Sequence, residues 1–133
     1  MNKNTALFLA RIFFGGLMVY NHGLSKFLEL WPFNDIAISQ QQIFGLGAIV
    51  SVLLFVLGEF IAPILVIIGY KTRVFAIFPM ITMFFAIVLT HSSYPFGCGL
   101  IKECSSGERA LLFFVGFLII FLMGPGKHSI DKN

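Results

Sequence analysis

The chain has 133 residues, of which 58% are hydrophobic and only 11% charged, with a net charge of +3. A soluble domain carries about a quarter charged residues, so this composition excludes an ordinary soluble fold and points to one integral membrane domain, residues 1–133. The small positive excess forms no basic stripe interleaved with aromatics, which argues against nucleic-acid binding.

Four apolar runs of roughly 20 residues follow one another. The first spans about 5–28, "TALFLARIFFGGLMVYNHGLSKFL". It is too long for a signal peptide and lacks an A-x-A-like cleavage site, so it is expected to stay in the protein. The next three span about 45–70, 72–91 and 107–124. None alternates, whereas a membrane barrel needs alternating segments of about 10 residues. A backbone in lipid must satisfy its own hydrogen bonds, so the runs are expected to be helices. The expected fold is therefore all-α, a four-transmembrane-helix bundle.

Charge sets the expected orientation. With four spans, Lys3, Lys71, Arg73, Lys127 and Lys132 share one side with a single acid, Asp131. On the other side Lys26, Lys102 and Arg109 are offset by Glu29, Asp35, Glu103 and Glu108. Positive residues favour the cytoplasm, which predicts that both termini are cytoplasmic. The first loop carries Trp31 and Phe33 as expected interfacial anchors, and Asn34 or Asp35 as a cap for a short surface helix.

Polar groups inside the runs are the candidate functional residues, because an intramembrane charge costs a few kcal/mol and needs a partner or water. Arg11 and His22 fall within about 20° of one face of the first helix. Lys26 follows one turn later, flanked by Asn21 and Ser25, with Gly15 and Gly16 offering close approach to a neighbour. Glu59 in the second run is the expected counter-charge of Arg11. Pro63 lacks the N–H that would bond the Glu59 carbonyl, predicting a kink and a small polar cavity there. Pro79 does the same to the Phe75 carbonyl. A second polar layer is expected from His22, Lys26, His91, Glu108 and Arg109. Buried pairs also fix helix register, so structural and chemical roles both stay open. A bis-histidine haem is disfavoured by the lack of C-x-x-C-H.

Cys98 and Cys104 share the third loop, "PFGCGLIKECSSGE", on the expected outer side, where a disulfide staple persists; the functional alternative is a redox pair beside a membrane electron acceptor. Their C-x₅-C spacing is not that of a thioredoxin-like pair, and no Cys/His cluster accompanies them, so no metal site is expected. In "GPGKHSIDKN", Gly124 is expected to take a left-handed cap, and Pro125 to stop the helix beside Lys127 and His128. No phosphate loop is present, because G-x-x-x-x-G-K-[ST] is missing.

Three segments together resemble the DoxX family. "LARIFFGGLMVYNHGLSKF" is similar to its first-helix signature, an arginine followed by "HG" and a lysine. "GEFIAPILVIIGYKTRVFA" is similar to its second-helix acid followed by a glycine and a "TR" turn. "GERALLFFVGFLIIFLMGPGKHSID" is similar to its last helix and closing "GPG…S.D". The resemblance marks Arg11, His22, Lys26, Glu59, Thr72, Arg73, Glu108, Ser129 and Asp131 as the family's recurrent polar positions. Two features depart from it: Pro63 stands where relatives often carry glycine, and the cysteine-bearing loop is not general.

What the resemblance implies is a small four-helix bacterial inner-membrane protein, with some relatives linked to thiosulfate–quinone oxidoreduction or to membrane redox complexes. The leading expectation is a quinone-linked redox component, with a quinone as cofactor and other membrane or periplasmic redox proteins as partners. A non-enzymatic anchor or assembly subunit is the alternative. A small-molecule or ion pathway is the third, and it requires a homo-oligomer, because four short helices leave little room for a pore.

Overall fold

The computed structural model describes residues 2–30, 48–90 and 107–131. The described residues are helical, with no strand among them. Helix α1 runs continuously through Lys3–Met18, a π-helical turn at Val19–Gly23, and Leu24–Leu30. Helix α2 comprises Ala48–Val56, a π turn at Leu57–Ile61, and Ala62–Ile68. Helix α3 comprises Thr72–Phe85 and a π turn at Ala86–Thr90. Helix α4 is Glu108–Met123. Three of these, α1 to α3, are long and apolar enough to cross a membrane.

Local chemistry explains the ends. The Asn2 side chain accepts the Asn4 N–H at 3.5 Å, so α1 starts slightly before the expected boundary. Helix α2 stops at Gly69, whose φ of +77° suits glycine, and its N–H closes onto the Leu65 carbonyl at 3.0 Å. Gly124 ends α4 with φ +81° and ψ −169°. That is glycine-only backbone but not the left-handed cap expected, because the chain leaves extended rather than curling back. Pro79 sits inside α3, where the Thr82 hydroxyl donates to the Pro79 carbonyl at 3.1 Å and the helix continues to Phe85.

Lipid gives helices no hydrophobic reason to associate, so close packing must do it. Glycines admit the neighbour where α1 crosses α2, where α2 crosses α3 and where α4 crosses α1. A Cβ on Gly15 would fall 2.6 Å from Ile67 of α2, and one on Gly58 would collide with Thr82 of α3. One on Gly116 would run into the Phe14 ring. Gly16, in contrast, faces open space, so of the glycine pair predicted to admit a neighbour only Gly15 does so. The buried core is Met18, Val66, Ala76, Met83, Ala110, Phe113, Phe117 and Ile120. Helix α3 packs along α4 more extensively than any other pair of helices.

Candidate functional site

Two polar clusters lie at opposite ends of this core. The antiparallel register of α1 and α2 decides which charges meet. Gly23 abuts Glu59, Gly15 abuts Pro63 and Ile67, and Gly69 abuts Arg11. Arg11 is twelve residues from Gly23, which at helical rise puts the two levels about 18 Å apart. That distance overturns the expected Arg11–Glu59 pair: no arginine side chain spans it. Counting in from estimated helix ends misjudged the relative depth of the two helices.

The partner of Glu59 is Lys26, with Nζ 2.7 Å from Oε2. The Glu59 side chain is 3% exposed and that of Lys26 is 25% exposed. Lys26 Nζ also lies 4.0 Å from the Phe55 ring centroid, a cation–π contact. Phe27 and Phe60 stack beside it, with centroids 4.8 Å apart. His22 is half-buried, its ring edge-on to Phe113 at 5.5 Å. It feels the charges of Glu59, Lys26 and Arg109. The two π turns, Val19–Gly23 and Leu57–Ile61, contact each other at this level. Such turns occur often at functional sites, because the extra residue rotates side chains out of ordinary register.

Pro63 has no N–H to give the Glu59 carbonyl, and the Gly23 backbone stands where the polar cavity was expected. A Cβ on Gly23 would collide with that carbonyl oxygen. Glu108 and Arg109 open α4 and are exposed. His91 of the expected outer layer lies outside the described residues, as do Cys98, Cys104, Trp31, Phe33, Asn34 and Asp35.

At the other end Arg11 is completely buried. Its Nη2 donates to the His128 carbonyl, and the guanidinium lies 5.8 Å from the Phe8 ring centroid. The segment after α4 folds back to meet it. The Asp131 carboxylate accepts the backbone N–H groups of Lys71 and Thr72, each at 2.8 Å, and the Thr72 hydroxyl at 3.3 Å. It thereby caps α3 from sixty residues away in sequence, and it holds Lys71 in its left-handed conformation, φ +41°. The Asp131 N–H donates to the Gly69 carbonyl at 2.9 Å. Ser129 Oγ lies 2.7 Å from the Gly126 carbonyl and 2.9 Å from the Asp131 carbonyl, so its single proton holds the turn through one or the other. Arg73 lies against Gly124. Partial burial pushes the Asp131 carboxyl up, but the Thr72 and Lys71 hydrogen bonds, helped by the Arg11 charge, outweigh this and hold it below the ordinary carboxylate value.

Arg11, Thr72, Ser129 and Asp131 thus form one cluster, with Arg73 packed beside it, and His22, Lys26 and Glu59 form another. Sequence reading missed the clasp role of Gly69, Lys71 and Asp131. The only available signal was an acid following a helix-stopping "GPG", which says nothing about where the acid lands. It also missed the aromatic surround of Lys26, since Phe27, Phe55 and Phe60 are indistinguishable in sequence from lipid-facing phenylalanines.

Among known proteins, the model of the DoxX family matches residues 6–92. No curated protein and no solved structure matches the chain.

Proposed function

The chain belongs to the DoxX family, and from that premise we propose a four-span inner-membrane protein of bacterial type, both termini cytoplasmic, that acts as a quinone-linked redox component. Helix α4, at 16 residues, packs along α3 and supplies the fourth span. Lys3, Lys71, Arg73 and Lys127 gather at the clasp end, which the positive-inside rule makes cytoplasmic.

The observation that carries the reading is the buried Lys26–Glu59 pair at two facing π turns. A buried carboxylate whose cationic partner is partly exposed suits proton handling. Lys26 and His22 offer N–H donors for a quinone carbonyl, and Phe27, Phe55 and Phe60 offer the flat apolar surfaces that such a ring prefers. Oxidation of a quinol releases two electrons and two protons. With a quinone bound, Glu59 and His22 would relay the two protons and a disulfide between Cys98 and Cys104 would take up both electrons and both protons, becoming two thiols that a partner redox protein reoxidises. Gentle purification followed by mass spectrometry should find bound quinone, and the protein should change a quinol/quinone ratio in a way that Glu59→Gln abolishes. Protein without bound quinone that leaves the ratio unchanged would end this reading.

A second reading, an anchor subunit of a larger complex, has its own observation. Tyr20 is 72% exposed, and Asn21 beside it is also exposed, both within a membrane-spanning helix. A hydroxyl and a carboxamide facing lipid are costly, whereas a partner helix would satisfy them. On this reading Asn21→Leu with Tyr20→Phe releases a co-purifying protein. A monodisperse monomer carrying no partner before mutation argues against it.

A further inference from the structure

Among the described residues, no polar side chain but that of Thr82 lies in the interior between the two polar clusters. Between them α2 reads "FIAPILVII" from Phe60 to Ile68, and α4 is apolar from Ala110 to Met123. Along α1, the polar groups between Arg11 and His22 are Tyr20 and Asn21, and both face away from the bundle. The interior at this depth is Met18, Val66, Ala76, Phe117 and Ile120, all fully or almost fully buried. Helix α3 contributes Thr82, whose hydroxyl is already spent on the Pro79 carbonyl in its own helix.

A proton moves between hydrogen-bonding groups or waters, and a buried water needs two to four polar partners. About 18 Å of apolar packing therefore stops it. Toward the other end the situation reverses. Lys26 lies one turn beyond Gly23 and is partly exposed. His22 is half-buried, and Glu108 and Arg109 are exposed at the start of α4. These, with Glu59 itself, are the charged and titratable groups that α1, α2 and α4 bring to this level; the described part of α3 brings none.

We propose that the Lys26–Glu59 site is open to water, and hence to proton exchange, from one face of the membrane alone: the face at the Lys26 end, opposite the Arg11–Asp131 clasp. Whatever reactant the site serves, its protons enter and leave on that face. The inference rests on the reading of this pair as a proton-handling site but not on the quinone.

Thiol accessibility tests it. His22→Cys leaves the ion pair intact, Glu59→Cys probes its centre, Val66→Cys probes the dry core, and Lys71→Cys marks the clasp face. Each is reconstituted in vesicles of known orientation and treated from one face with a charged, membrane-impermeant methanethiosulfonate. Mass spectrometry reads modification residue by residue, so Cys98 and Cys104 stay in place. His22→Cys should react at least ten times faster from the face opposite that of Lys71→Cys, Glu59→Cys should share its sidedness, and Val66→Cys should resist from both. Reaction of His22→Cys from the Lys71 face, ready reaction of Val66→Cys, or no reaction of His22→Cys from either face overturns the proposal. One-sided labelling of a protein that binds no quinone would remove the quinone reading and leave this one standing.

Discussion

The Lys26 end and the Arg11 end both bury a charge but partner it differently, and at Arg11 only Nη2 of the guanidinium is bonded, Nε and Nη1 having no partner among the described residues. Glu59 is met by one side chain, that of Lys26, which is itself partly exposed and held over a phenylalanine ring. Arg11 is met by a backbone carbonyl and by the field of Asp131, whose carboxylate is tied to two backbone N–H groups. A backbone partner cannot leave without unfolding the turn. A lysine can swing away. The clasp is therefore built to hold, and the ion pair is built so that its occupancy can change. Lipid makes the contrast sharper, because each end must find its partners within the protein.

The largest effect should come from breaking the ion pair. Lys26→Met leaves Glu59 buried and unpaired and should cost about 3–5 kcal/mol, whereas replacing both with apolar residues should restore most of the loss. Denaturation in mixed micelles measures both. Arg11→Met combined with Glu59→Gln should behave as two independent changes, additive to about 0.5 kcal/mol. Coupling well above that would mean that the two ends communicate, and would undo the contrast.

At the clasp, Asp131→Asn removes the charge and one of the two oxygens that accept the Lys71 and Thr72 N–H groups, and should cost about 1–2 kcal/mol. Its pH dependence follows by sign. The carboxyl is held below the ordinary value of about 3.9, so the folded state binds fewer protons than the unfolded state between those values. Its contribution is complete above the ordinary value and is lost as pH falls through the lowered one. Acid unfolding of Asp131→Asn should lack that component. A variant whose acid limb matches the wild type would show that the cap contributes nothing.

The last pair of effects contrasts two glycines. Gly69→Ala forces a side chain into a left-handed turn and against Arg11 and Ser129, and should cost about 1–3 kcal/mol. Gly16→Ala meets open space within a helix and should stabilise by about 0.5–1 kcal/mol. Thermal midpoints separate them by sign alone.

Composition and run length sufficed for an all-helical membrane protein, because lipid forbids unpaired backbone and so leaves few options. The family signature was legible in the same way, since its marks are short local strings: the arginine, "HG" and lysine of α1, the acid of α2, and "GPG…S.D" after α4. Local rules also placed the end of α4 at Gly124. Which charges meet was another matter. Arg11 and Glu59 looked like natural partners because they carry opposite charge at similar counted depth. The real pairing follows from how far α1 slides along α2, set where Gly15 and Gly23 seat against Pro63 and the Glu59 carbonyl. Likewise, nothing local told Asp131 to cap α3. Sequence by itself determined that this chain is helical, membrane-embedded and sparingly charged, because solvation acts on each residue separately. Only tertiary structure decided the partners of those charges, because partnership depends on relative helix register, a property that no single segment contains.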